Sequence, residues 1–350
     1  MAARSGPPRL REIAERLGVS ETAVSFAVNG RPGISVATRK RILESIEESG
    51  WTPNYAARAL FEARSSTVGF VVARTAEAVG SESFFLQLMT GLQSVLGTSG
   101  YGLLFQVAAS IEEELAVYRG WRAQQRVDGV VLVDLRADDP RPAELARLGL
   151  PAVLAGGPDP LGLVPSVSID DAGAIDVVVD HLRARGHRRI GYVTGDPGML
   201  HVGRRVEAFR RRAGEQDGVT EAVVSTDFST GAAARATRRL WQEAEPPTAV
   251  IYENEVIAVA GVGELRALGL SIPQDVAVVC LEDSLIGTAM RPQLTALHRD
   301  TGQFGQDVAR SLLEVLDDGA APDSQERTPE LVVRASTDAD AGVGALSTDL

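Results

Sequence analysis

From Val68 onward the chain alternates short apolar runs with amphipathic stretches, and few folds accommodate such a pattern. VGFVVA, YGLLFQVA, VDGVVLVD, PAVLAG and SVSID read as strands, and FFLQLMTGLQSVLGTSG and the stretch ending at Gln125 read as helices between them. A second series starts near Ala172. It runs through a helix to Arg185, RIGYVTG, a helix through Arg212, AVVSTD, a helix to Glu243, AVIYE, a helix to Leu268, and DVAVVCLED. Strand–helix alternation of this length requires parallel sheets joined by right-handed crossovers. Two series predict an α/β core of two Rossmann-like lobes. LTALHRD then returns to the first lobe with a helix from Thr301 to Leu316, and PELVVRAS closes the second. Ligands of such sheets bind at the carboxyl ends of the strands, which here means the cleft between the lobes.

The first sixty residues have a different texture. Leu10, Ile13, Ala14 and Leu17 recur at the spacing of one buried helical face. Gly18 stops that helix and Ser20 caps the next, which runs from Glu21 to about Asn29 with Ala23, Val24, Ala27 and Val28 inward. Two short helices around a tight Gly-containing turn form the geometry that places a recognition helix in the major groove. A third helix follows, with Ser35 as its cap, Ile42, Leu43 and Ile46 inward, and Gly50 as its stop. Thr52-Pro53 then restarts a short helix ending at Leu60.

LREIAERLGVSETAVSFAVNGRPGISVATRKRILESIEESGWTPNYAARAL resembles the DNA-binding headpiece of the lactose-repressor family of bacterial transcription regulators. The resemblance rests on the AVS-x-x-VNG recognition segment, the S-x-x-T-R helix start and the G-W-x-P-N-x-x-A-R-x-L hinge. It continues less specifically through GHRRIGYVTG and D-V-A-V-V, which look like the family's effector-binding core, a fold shared with periplasmic sugar-binding proteins. The implied organisation is an all-α helix-turn-helix head at 1–50, a hinge helix and linker at 51–66, and a two-lobed periplasmic-binding-protein-like core at 67–338. Within the core, the N-lobe takes 67–169 and 298–327 and the C-lobe 170–297 and 328–338. A disordered tail is expected at 339–350.

Charge distribution agrees with this organisation. The net charge of −12 is unusual for a DNA binder. Residues 1–64, however, carry 10 Lys and Arg against 7 Asp and Glu, leaving 25 against 40 in the remainder. A mildly basic head on an acidic body aims the head at phosphates. The single cysteine, Cys280, follows the apolar run Val276–Val279 and excludes an intrachain disulfide. MAARSGPPRL has no apolar core of a secretory signal, and no stretch reaches the length of a membrane span, so a cytoplasmic protein is expected.

The family resemblance implies site residues. Ser20, Glu21, Thr22, Ser25, Phe26 and Asn29 would face the groove. Thr22 and Ser25 suit base edges or phosphates, and Glu21 suits cytosine N4. Phe26 either meets thymine methyls or packs on its own head. Ser35, Thr38 and Arg39 at a helix start suit phosphates. Leu60 would be the minor-groove wedge, with Asn54, Ala57 and Arg58 lining the same groove. In the core, Phe84 or Phe85, Arg205, Phe228, Asn254, Glu282 and Arg299 stand at the family's cleft positions. An aromatic face with convergent polar groups is what a sugar needs. Arg205 with Arg299 points to an anionic effector such as a sugar phosphate or sugar acid, unless Arg299 pairs with Glu282. Gly156-Gly157 stands where many sugar-binding relatives carry Asp, which leaves a vestigial cleft open.

Signs of enzyme chemistry are thin. His181, His187, His201 and His298 lack metal-ligand spacing, no serine sits in G-x-S-x-G, and Gly191–Gly195 lacks the pattern of a phosphate loop. The sequence therefore predicts a regulator, most plainly a repressor, that binds a pseudo-palindromic operator in double-stranded DNA as a homodimer. A small molecule would control it, with no cofactor and no membrane contact. The rivals are a regulator controlled by a protein partner and a solute-binding protein.

Overall fold

The computed structural model describes residues 10–28, 32–49, 64–214 and 220–339. The chain divides into two units, residues 1–65 and 66–350.

In the first unit α1 (Leu10–Leu17), α2 (Glu21–Val28) and α3 (Val36–Ser49) enclose a small core of Ile13, Ala14, Val24, Ala27 and Ile42. Gly18, at φ 63, terminates α1, and the Val19 amide closes back on the Ala14 carbonyl at 3.0 Å. A left-handed residue after a helix is the usual job of glycine. One expectation fails here. Leu43 is 44% exposed, and Ser45 is buried instead. Ile42, Ser45, Ile46 and Ser49 share one face at 100° per residue, and Leu43 lies one step off it. Buried Ser45 is satisfied by Arg16, whose Nη2 donates to its carbonyl at 2.7 Å and to its hydroxyl.

The second unit holds two sheets. Among the described residues the first runs β11 (Ser324–Gln325), β5 (Ser166–Ser168), β4 (Ala152–Ala155), β3 (Gly129–Leu132), β1 (Thr67–Ala73), β2 (Gly102–Ala108). The second runs β12 (Glu330–Val332), β10 (Thr295–His298), β9 (Ala277–Cys280), β8 (Ala249–Tyr252), β6 (Arg189–Thr194), β7 (Thr220–Ser225). All neighbouring pairs are parallel except β10 with β12. The chain leaves the second sheet after β10, places β11 on the first sheet, and returns for β12. These crossings join the two lobes.

Strand burial on both faces explains the continuous apolar runs. In β1, Val68, Phe70 and Val72 pack against α5 (Ser83–Thr98) and a long helix, Thr301–Asp318, while Val71 faces α6 (Ile111–Ala123). The helix Thr301–Asp318 extends two residues past the expected end. It approaches α5 so closely that a Cβ on Gly91 would lie 2.1 Å from the Gly302 carbonyl, and one on Gly305 would lie 2.5 Å from that of Leu88. Glycine is required at this crossing. Phe85, Leu88 and Leu92 are consumed by this core and are not available to a subunit seam. Cys280 lies at the buried end of β9, as its apolar context predicts. Among the described residues no helix is long and apolar enough to cross a membrane.

Candidate nucleic-acid interface and interlobe cleft

On the head, Ser20 caps α2 by accepting from the Ala23 amide at 3.1 Å, so its hydroxyl serves the helix first. Glu21 and Thr22 are exposed, and Ser25 is half-buried. Phe26 is half-buried, and a Cβ added to Gly33 would come within 3.0 Å of its ring. Packing on its own head is therefore the formed arrangement. Ser35 caps α3, accepting from the Thr38 amide at 3.1 Å with the two hydroxyls 2.8 Å apart. Arg39 was expected at phosphates. Its Nη1 instead donates to the carbonyls of Phe26 (3.3 Å) and Ala27 (3.5 Å), bracing the carboxyl end of α2. Cations are favoured there by the helix dipole. Asn29, Asn54, Ala57, Arg58 and Leu60 lie outside the described residues.

In the core, one cavity sits at the carboxyl ends of both sheets, where the strand order reverses around β1 and β6. Phe84, Arg205, Phe228, Asn254, Glu282 and Arg299 all line it. Each owes its place to a strand end or a helix start. Phe84 opens α5, and its neighbour Phe85 is core. Phe228 follows β7 at φ 67. Asn254 follows β8 and caps α11 (Glu255–Ala267; α7 is Arg141–Leu148, α8 Asp171–Ala184, α9 Leu200–Gly214 and α10 Thr230–Leu240, with α4, Ala76–Ser81, before them), accepting from the Ile257 amide at 3.0 Å. Glu282 follows β9 and Arg299 follows β10. Arg205 lies in the second turn of α9, which begins at Leu200.

The arginines of the cleft are engaged by carboxylates of the protein itself. Arg205 Nε donates to Asp171 at 2.8 Å and Nη1 to Glu253 at 2.5 Å. Both carboxylates are buried, and Tyr192 donates to the other Glu253 oxygen at 2.6 Å. Burial opposes ionisation of Asp171, yet Arg205 and Arg204 hold its carboxyl below the usual range. Arg205 is thus already neutralised. Arg204 reaches across the cleft to the Gly156 carbonyl at 3.1 Å, so a cation occupies the place where an acid was missing. Arg299 does not pair with Glu282. It lies 4.0 Å from Glu326, with its guanidinium 5.1 Å from the Phe84 ring and 5.2 Å from the Phe304 ring. Burial and the neighbouring Glu255 push the Glu282 carboxyl well up, and burial pushes Glu82 up to about 7. Asp134, Asp171 and Glu253 face Arg74, Arg205 and Arg299, and burial favours the neutral forms of Glu282 and Glu82, so the cations of the cleft are already matched by carboxylates.

Sequence reasoning missed Arg74, Glu82, Asp134, Asp171 and Glu253. All but Glu82 lie within a few residues of a strand's carboxyl end, and that topological rule would have found them.

Residues 9–54 match the family model described as bacterial regulatory proteins, lacI family, and residues 179–337 match the periplasmic binding protein-like domain. The chain is 33% identical over 316 residues to the HTH-type transcriptional regulator CelR of Thermobifida fusca, covering 88% of this chain and 91% of that protein. The chain belongs to the lacI family. A solved complex of the regulator CelR with cellobiose is 29% identical, covers 94% of this chain and 99% of its own, and superposes with a TM-score of 0.71. The lac repressor dimer bound to operator and an anti-inducer shares the fold, with a TM-score of 0.80 at 23% identity over 95% of this chain and 99% of that one. This lacI-family protein is accordingly a DNA-binding transcriptional regulator, as its relatives are, and not an enzyme.

Proposed function

We propose that this regulator is a repressor that binds a pseudo-palindromic operator as a homodimer. The exposed first turn of α2 reads bases, the start of α3 sits at phosphates, and Asn54, Ala57, Arg58 and Leu60 enter the minor groove. A small, uncharged, hydroxyl-rich molecule in the interlobe cleft shifts the balance between two lobe arrangements. The reading is carried by one observation: side chains from six separate places in the sequence converge on a single cavity between the lobes. Arginines already paired to carboxylates there favour a neutral hydroxyl-rich molecule over phosphates or carboxylates, and a CelR relative is solved as a cellobiose complex.

Titration calorimetry tests the ligand class, with cellobiose and other neutral saccharides against matched sugar phosphates and sugar acids. Operator release followed by anisotropy at fixed salt tests its consequence. Binding of a neutral saccharide with operator release is the expected result. A sugar phosphate that binds tighter than its neutral parent overturns the assigned chemistry. A panel that leaves operator binding unmoved favours control by a protein partner.

A further inference from the structure

We propose that Arg74 is a built-in occupant of the cleft: its guanidinium, seated on the Phe228 ring, holds the two lobes together without a ligand and sets what can replace it. Arg74 is the first residue after β1 and only 7% of its side chain is exposed. The N-lobe fixes it on two nitrogens, Nε to Asp134 Oδ2 at 2.6 Å and Nη1 to Glu82 Oε1 at 2.9 Å. What it offers to the C-lobe is its remaining nitrogen and its flat face. Nη2 lies 3.5 Å from Met199 Sδ, and the guanidinium carbon lies 4.2 Å from the Phe228 ring centre. A desolvated guanidinium on an aromatic face is a strong form of this contact.

The C-lobe side is equally prepared. Phe228 holds a left-handed backbone, φ 67, with its amide donating to Thr226 Oγ1 at 3.2 Å. Its ring lies on Gly195, where a Cβ would come within 1.9 Å of it. A strained, buried aromatic residue with its back against a glycine has one face to give, and Arg74 takes it.

The remaining cavity is about 60 Å³. Ligand sites run to several hundred Å³, so a ring that stacks on Phe228 has to displace Arg74. The incoming molecule then faces Glu82 and Asp134 and must bring donors for both, which excludes a molecule with an anionic group at that end. This second half rests on the cleft being the effector site; the closure half does not.

The test uses the full chain. Arg74→Ala, Arg74→Lys, Phe228→Leu and the double variant Arg74→Ala/Phe228→Leu are compared by small-angle scattering and thermal unfolding. Arg74→Ala should enlarge the radius of gyration and lower the melting midpoint by about 5 °C. Low-millimolar guanidinium chloride should reverse both, and sodium chloride at the same ionic strength should not. Arg74→Lys keeps the charge without the flat face, so it should fold normally with lobes more open than wild type. The double variant should lose less than the sum of the single losses, the sign of a direct contact. Scattering of Arg74→Lys and Phe228→Leu indistinguishable from wild type overturns the proposal, as do additive losses or equal rescue by sodium chloride. If the lobes open as expected while no saccharide moves operator binding, the effector reading fails and the staple stands.

Discussion

The recognition helix and the interlobe cleft use polar side chains in opposite ways. Glu21 and Thr22 at the start of α2 stand in solvent, while Ser20 and Ser35 are spent on caps and Arg39 on the carbonyls that end α2. In the cleft, Arg74, Arg204 and Arg205 are bonded to buried carboxylates or to a carbonyl across the gap. Unspent groups on a rigid surface can meet an outside partner with little rearrangement. Spent groups in a buried network cannot, so a ligand has to trade contacts with them, and each trade changes how the lobes are held. This is the physical difference between a surface that reads and a cleft that switches.

The sharpest break in that comparison is Arg205→Ala. In an unpaired cleft it would remove a ligand contact and nothing else. Here it leaves Glu253 buried without its cation and Asp171 with Arg204 alone. Orphaning buried charges should cost about 3–5 kcal/mol of core stability, and Arg205→Lys should cost less. Denaturant unfolding followed by circular dichroism measures it. A loss of ligand response with no loss of stability would mean that the network is not what holds Arg205.

The head should behave in the opposite manner. Thr22→Ala removes an exposed hydroxyl, so melting should not change while operator affinity falls by about 1–3 kcal/mol at the base pair it reads. Leu60→Ala should cost a similar 1–3 kcal/mol, together with the DNA bend, because the wedge no longer holds a base step open. Anisotropy at fixed salt and a bending assay follow both. A Thr22→Ala protein that melts earlier, or a Leu60→Ala protein that bends DNA normally, would remove the distinction between reading and folding in this half of the chain.

Much of this was legible in the sequence, for reasons that differ by region. Period-2 and period-3.6 apolar patterns report burial directly, which is why the strands and the two lobes emerge from VGFVVA, RIGYVTG and their neighbours. The same logic misplaced Leu43, because Arg16 supplies a partner that lets Ser45 take the inner position. Apolar periodicity also could not say whether Phe85, Leu88 and Leu92 meet their own sheet or another subunit; the Gly91–Gly305 approach decides that, and it joins residues far apart in the sequence. The cleft residues could be nominated singly from the family pattern. That Arg205 was already paired could not, since Asp171 and Glu253 reach it from two other strand ends. Sequence shows which charges exist, and topology decides which of them meet.

A smaller effect probes the cleft network through pH. Glu82 is 6% exposed, and burial raises its carboxyl to about 7 against the pull of Arg74, with Asp134 and Glu255 adding to the rise. A group whose folded pKa is raised contributes stability that is complete below its unfolded pKa, near 4.5, and is lost as pH climbs through 7. Between pH 6 and pH 8 this amounts to about 1 kcal/mol, or a few degrees of melting temperature. The histidines act in the other direction. Burial holds His181 at about 4 and lowers His187 and His201, so their contributions grow as pH rises toward their unfolded values. Wild type alone would mix the two trends. Glu82→Gln fixes the neutral form and leaves the histidines untouched, so the difference between variant and wild type isolates the carboxyl. That difference should move in favour of Glu82→Gln as pH rises from 6 to 8. A flat difference would mean that Glu82 stays ionised beside Arg74 throughout, and the N-lobe seat of Arg74 would then be a plain charge pair.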